Sequence, residues 1–402
     1  MRPIAIVLGV DTPIGLTVVR ELGEHGVEVH AIARTSLATG AHSRYVARRY
    51  LRQGNGDELV GLLNRIAAET GAKLLLTMGE SDILFLHRNA EQLRGIQPLI
   101  PDPARMATVL DKAATCAAAT AVGIEVPRTW AARDASDIAR IAKEATYPVI
   151  LKWADPHVVA QRLSKASLRV VKLEYAYDAG QLTAALSRYV PVGAFPLVQA
   201  FVPGHGIGHM VFMHRGEPVL RFQHRRIHEW PPEGGSSTVC DSVGPDENTA
   251  LMEKSVALLR SIGWEGPAMV EYRQDPDTGR AVLMEINGRF WGSQPLAYHA
   301  GAHFAWFTYS ILGLGEVPAA PKYRVGVRCR YMIPETKRLF RILLCRGSIR
   351  DRSFRVSRLR TVLDYVADFF RLRTRYYVFQ WTDPIPWLVD VLGGLLPFFR
   401  RR

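Results

Sequence analysis

Two short apolar, β-rich runs, Pro267 to Arg273 and Ala281 to Ile286, flank Asp275-Pro276-Asp277-Thr278-Gly279, whose residues favour a tight turn. An antiparallel hairpin is the fold such a stretch dictates. Its pairing brings Glu271 beside Glu285. Side chains alternate across a strand, so Glu285, Asn287 and Arg289 are expected on one face, with Met284 and Ile286 on the other. Crowded carboxylates repel and raise each other's pKa unless a hard cation sits between them, its oxygen shell completed by phosphate. The hairpin therefore predicts a magnesium-nucleotide site at Glu271 and Glu285, with Asn287 and Arg289 on the same polar face. A plain surface ion pair would explain the charges at little gain in stability, but not the amide.

At 402 residues, with 48% hydrophobic and 22% charged composition, the chain can bury two or three cores. Cys116, Cys240, Cys329 and Cys345 are scattered, without the spacing of a zinc site or a disulfide framework. A reducing, cytoplasmic compartment fits that usage. The opening Met1 to Gly9 reads as a first β-strand rather than a leader peptide, and no apolar stretch reaches the roughly eighteen residues of a membrane span.

The formal charge of +13 is unevenly spread. Lys and Arg against Asp and Glu count 32 to 32 over residues 1 to 321 and 19 to 6 over residues 322 to 402. Only the C-terminal fifth has the footprint of an anionic partner.

Residues 3 to 9, the loop Gly9 to Gly15, the amphipathic Leu16 to Leu22 and the apolar Val27 to Ala33 make a βαβ opening. Lys73 to Thr77 adds a strand that ends in Met78-Gly79-Glu80-Ser81-Asp82, polar groups at the carboxyl edge of a parallel sheet. A nicotinamide dinucleotide site is disfavoured. Val10 to Ile14 lacks the middle glycine, and Arg34 stands where the ribose acid belongs.

After Pro101-Asp102-Pro103, Asp111-Lys112 opens an alanine-rich helix, and Tyr147 to Lys152 forms a strand whose terminal lysine should face something negative. Phe195 to Gly204 is another apolar strand. Arg221 to Glu229 is rich in Arg and His and precedes Pro231 to Thr238, whose prolines, glycines and hydroxyls predict a long mobile lid.

The order of Asp111-Lys112, Pro148 to Lys152, Val198-Gln199-Ala200-Phe201-Val202-Pro203-Gly204, Glu271 and Glu285-x-Asn287-x-Arg289 resembles the ATP-grasp superfamily. Its carboxylate-amine ligase branch, related to the carbamoyl-phosphate synthase large chain, is the nearer likeness, over about residues 1 to 315. The resemblance implies ATP held between two α+β subdomains, with two Mg2+ ions, replaceable by Mn2+, on Glu271, Glu285 and Asn287. It implies that Lys112 and Lys152 contact the nucleotide and that the backbone of Val198, Gln199, Ala200, Phe201 and Val202 reads adenine. Lys152 and Arg289 would act as catalytic cations. The chain departs from the pattern at Gln199-Ala200, where a glutamate is usual, in Gly204 to Met210, which shows no ribose-binding acid, and in residues 153 to 179, which hold no glycine. Either Lys165-Ala166-Ser167 substitutes side chains for a glycine-rich phosphate loop, or that subdomain closes less tightly and turnover is slow or specialised.

The implied chemistry is phosphorylation of a carboxylate by ATP and attack of an amine on the acyl phosphate, giving an amide or peptide bond. Arg225 and Arg226 offer forks for the acceptor carboxylate, whereas His224 and His228 suit a magnesium site poorly. Readings left open are a nucleotide-binding protein without turnover and, more remotely, a nicotinamide oxidoreductase.

The expected layout is a small doubly wound α/β domain over 1–108, an ATP-grasp domain of two α+β subdomains over 109–318, and a basic helical C-terminal extension over 319–402. The extension interleaves Arg with Leu, Ile, Phe and Tyr, and places Trp381 and Trp387 before an apolar run too short to span a bilayer. Packing on the core and contact with an anionic membrane surface, at the inner face, are both compatible with it. Small carboxylates and amines are the expected partners, nucleic acid is not, and a homo-oligomer is compatible.

Overall fold

A computed structural model describes residues 3–54, 56–153, 156–171, 173–349, 351 and 354–399. The N-terminal strands β1 (Ile4–Leu8), β2 (Glu28–Ala33), β3 (Val46–Leu51), β4 (Leu74–Thr77) and β5 (Gln97–Pro98) form a parallel sheet of order β3-β2-β1-β4-β5. Helices α1 (Pro13–Glu24), α2 (Asp57–Thr70) and α3 (Glu80–Arg88) alternate with these strands. Central β1 and β4 are almost wholly buried, as continuous apolar runs require when both faces are covered. The side chain of Thr12 caps α1, and Pro13 starts it. A Cβ on Gly15 would lie 2.7 Å from the carbonyl oxygen of Gly9 and from the Cα of Val10, so close packing of helix on strand accounts for this glycine.

Helices α4 (Pro103–Leu110) and α5 (Lys112–Ala121) lead to a four-stranded sheet, β6 (Thr129–Trp130), β7 (Val149–Lys152), β8 (Glu174–Ala176) and β9 (Leu197–Ala200), of order β6-β9-β7-β8 and antiparallel. It packs on α6 (Ser136–Glu144) and α8 (Ala179–Ser187) through Ile138, Ile141, Leu151, Leu182, Leu186 and Val198. The segment after Lys152 departs from expectation. Within it residues Pro156–Lys165 form helix α7, and Lys165, Ala166 and Ser167 are exposed. A run without glycine favours helix over an open loop.

The third sheet joins β10 (His205–His214), β11 (Glu217–Trp230), β12 (Ser236–Ser242), β13 (Gly266–Gln274), β14 (Ala281–Asn287), β15 (Arg328–Arg330) and β16 (Thr374–Tyr376) in the order β14-β13-β10-β11-β12-β15-β16. Only its β15–β16 pair is parallel. One face buries Val211, Met213, Val270 and Tyr272 with Val256 and Leu259 of α9 (Thr249–Ser261). The other shares a core with the N-terminal domain, where Met210, Phe212 and Phe222 join Val7, Leu16 and Val18, with α10 (Gln294–Ala300) and α11 (Phe304–Phe307) between them. The anticipated long lid is shorter. Strand β11 runs through Trp230 and β12 begins at Ser236, so only residues 231–235 connect them.

The C-terminal segment is helical, with α12 (Met332–Leu344), α13 (Arg358–Ala367) and α14 (Ile385–Phe399), and it also supplies β15 and β16 to the large sheet. Asp383 fixes it to the N-terminal domain. Its carboxylate accepts from Arg20 Nε at 2.9 Å, Ser43 Oγ at 2.7 Å and the Arg44 amide at 2.9 Å.

Candidate active site

A cleft of about 380 Å³ opens between the four-stranded sheet and the large sheet. The β13–β14 pairing sets Glu271 opposite Glu285, as the turn chemistry requires. The next pair is Tyr272 with Leu283, so Met284 is the extra residue of a β-bulge. That bulge corrects the simple alternation: Met284 lines the same cleft as Glu285 instead of facing away. Asn287 is buried and donates from Nδ2 to Glu285 Oε1 at 3.1 Å. Arg289 follows the end of β14 and also lines the cleft. Its Nε donates to Glu80 Oε1 at 2.9 Å, which joins the hairpin to the first turn of α3 in the N-terminal domain.

Burial pushes the Glu271 carboxyl up to about 7; Arg226 opposes the rise, and Glu285 and Glu229 add to it. Arg226 Nη2 reaches Glu271 Oε2 at 2.5 Å, and its Nη1 lies 3.3 Å from both Glu229 Oε1 and the Gly235 carbonyl. Arg225, its sequence neighbour, binds Glu247 at 2.8 Å and does not line the cleft. The two guanidiniums expected to act together thus have separate partners, because adjacent residues of a strand point to opposite faces.

Lys152 lines the opposite wall. Burial and the charge of Lys112 lower its pKa to about 8, against the pull of Glu285, Cys116 and Glu271. Lys112 Nζ donates to the Trp153 carbonyl at 3.3 Å, so both lysines gather at the end of β7. Gln199, Ala200, Phe201 and Val202 line the cleft, whereas Val198 is fully buried in the core of the small sheet. The Ala200 and Phe201 amides already donate to Arg128 and Pro148 carbonyls at 2.8 and 3.2 Å. Gln199 Nε2 donates to Thr129 Oγ1 at 3.1 Å.

Several cleft residues were not anticipated. Tyr175 donates to the Glu233 carbonyl at 2.6 Å, Arg341 of α12 reaches Glu233 Oε1 at 2.5 Å, and Glu229 and Arg273 line the floor. Glu229 and Glu233 stood in the basic and Pro/Gly-rich runs already singled out, but their roles depend on which face each bulge presents. His224 is buried against Ser293 Oγ at 2.8 Å, and His228 pairs with Glu335 at 2.7 Å, so both imidazoles have protein partners.

Among the described residues no three His, Cys, Asp or Glu side chains converge as a ready-made metal cage. Two carboxylates and one amide remain, a donor set of oxygens in a cleft lined by Glu229, Glu233, Glu271 and Glu285 against Lys152, Arg226, Arg273 and Arg289. That set fits a hard divalent cation that draws the rest of its shell from phosphate oxygens and water.

A profile of the ATP-grasp domain family matches residues 103–188. A search of curated proteins finds no match. Among solved structures, the chain is similar to N5-carboxyaminoimidazole synthetase from Staphylococcus aureus, with 12% identity and a TM-score of 0.66 over 92% of this chain and 98% of that one. It is similar to the biotin carboxylase domain of 2-oxoglutarate carboxylase from Hydrogenobacter thermophilus, solved with MgADP, ADP and bicarbonate, at 17% identity and a TM-score of 0.62 over 82% and 73% of the two chains. The ADP complex of N5-carboxyaminoimidazole ribonucleotide synthetase PurK gives 13% identity and a TM-score of 0.59 over 81% and 80%. At such identities the likeness shows the fold.

Proposed function

We propose that this chain, whose residues 103–188 match the ATP-grasp domain family, is an ATP-dependent carboxylate-amine ligase that forms an amide or peptide bond through an acyl phosphate. The observation that carries the reading is the meeting of Glu271, Glu285 and Asn287 with Lys152 across one cleft. A bound Mg2+ would neutralise phosphate charge and hold the transferring group in line. Glu271, Glu285 and Asn287 would hold it by oxygen. Lys152 brings a cation to the phosphates from the opposite wall, and Arg289, oriented by Glu80, faces the same space. Gln199 to Val202 supply the edge against which an adenine would lie. Arg226 and Arg273, which line the cleft, would offer their guanidiniums to an acceptor carboxylate.

ADP release with pooled amino acids and small carboxylates, with Glu285→Gln as control, tests the reading. Turnover that depends on Glu285 supports it, and ADP formed equally by both proteins sinks it. A second reading, nucleotide binding without turnover, draws on helix α7 in place of a phosphate loop and on Arg226 already engaging Glu271. Calorimetric ATP binding with no ADP formed from any substrate pair would favour it.

A further inference from the structure

Thirteen of the twenty-two large hydrophobic side chains left exposed among the described residues lie between Phe340 and Leu392; the other nine are scattered from Leu37 to Val325. The thirteen largely follow the helical period. Leu359, Leu363, Val366 and Phe370 form one stripe along α13 and its continuation; Ile385, Leu388 and Leu392 form another on α14; Phe340 and Leu344 stand one turn apart on α12. A domain normally turns such stripes inward. Here the helices bury Ile342, Thr361 and Val389 instead, and Phe370, Trp381 and Leu372 are 79%, 86% and 94% exposed. Between α12, α14 and residues 369–381 lies a groove of about 800 Å³ walled by Ile333, Phe340, Phe369, Phe379, Trp381 and Trp387, with exposed Lys337 among its lining.

Charge names the occupant. Residues 322 to 402 hold the whole positive excess of the chain. Three of their six acids are turned inward: Glu335, Asp368 and Asp383 are buried, engaged by His228, Arg328 and Arg20 respectively. Arg358, Arg360, Arg371, Arg373 and Arg375 stay exposed beside the apolar stripes. Exposed Trp, Phe and Leu edged by guanidiniums match the boundary between acyl chains and anionic headgroups. No described helix is long and apolar enough to cross a membrane.

We infer that the C-terminal helices are a docking face for an anionic lipid bilayer, with the apolar stripes entering the acyl boundary and the arginines meeting lipid phosphates. The inference does not rest on the ligase reading, since vesicle binding needs no turnover.

Flotation of the full chain with vesicles of phosphatidylcholine alone, or mixed with phosphatidylglycerol, tests it. The chain should float with the mixed vesicles. Phe370→Glu combined with Leu372→Glu should lower the bound fraction about ten-fold without altering the circular dichroism spectrum, because both side chains are exposed. Arg371→Ala with Arg373→Ala should weaken binding to the mixed vesicles and make what remains less sensitive to salt. Failure to float with either vesicle overturns the proposal, and equal binding to neutral vesicles overturns its anionic part. Self-association that the Phe370/Leu372 double variant abolishes, without vesicle binding, would make the face a contact between copies and overturn it as well.

Discussion

Arg226 Nη2 lies 2.5 Å from Glu271 Oε2 although their strands are not neighbours, for β10 runs between them. The guanidinium crosses β10 over Gly206, where a Cβ would stand 2.6 Å from Arg226 Cδ and 3.2 Å from Glu229 Oε1. A missing side chain is the passage that lets a cation of one strand reach the Glu271 carboxylate two strands away. Gly206→Ala should therefore leave the fold intact, displace Arg226 and lower kcat/KM for ADP release by about ten- to one-hundred-fold, given what an oriented charged group contributes at such a centre. Arg226→Ala should lose as much, and Gly206→Ala in that background should add little. Additive losses would show that the glycine acts elsewhere.

Glu271 makes stability depend on pH. Its folded pKa of about 7 stands above the ordinary 4.5, so the folded state binds the proton more tightly than the unfolded one. Stability without nucleotide or cation should fall as pH rises from about 4.5 to about 7, by an amount on the order of 3 kcal/mol, and level off above that. Glu271→Gln should flatten this slope in urea titrations at stepped pH. Magnesium with ATP should flatten it too, since a cation favours the ionised form.

Lys152 should set the alkaline limit of the proposed activity. With its pKa lowered to about 8, the free enzyme should lose kcat/KM above that pH as the ammonium loses its proton. Lys152→Arg, always charged, should move the limb upward even where its maximum rate is lower. Lys152→Ala should cost on the order of one-hundred- to one-thousand-fold and show no such limb.

The Arg20–Asp383 pair makes a sharper stability prediction than any exposed pair. Both side chains are 1% exposed, and Asp383 also receives Ser43 and the Arg44 amide. Asp383→Ala leaves a buried guanidinium without its carboxylate and should cost about 3 to 5 kcal/mol in denaturant unfolding. Combining it with Arg20→Met should recover much of that loss.

How far the sequence speaks depends on what fixes each feature. The facing of Glu271 and Glu285 was legible because turn residues set the register, and the parallel N-terminal sheet because its buried strands are continuous apolar runs. Met284 was not, since a bulge shifts facing by one residue and leaves little local trace. Arg225 and Arg226 looked alike in sequence; which one enters the cleft is decided by strand facing and by Gly206 on the neighbouring strand. The absence of glycine after Lys152 is visible in the sequence and suggests an altered loop, whereas helix propensity is the simpler consequence. The exposed stripes of α12 to α14 have the period of a core-facing surface, so sequence alone cannot say which side they turn to.

Strands β15 and β16 complete a sheet whose opposite edge is β14, the strand that carries Glu285, so the C-terminal segment is no detachable appendage. A chain shortened before Arg328 would lay bare the β12 edge and open a row of unpaired backbone groups to strands of other molecules. Clumping of such a fragment would be a symptom of an unfinished sheet, and it would say nothing about what the missing residues bind.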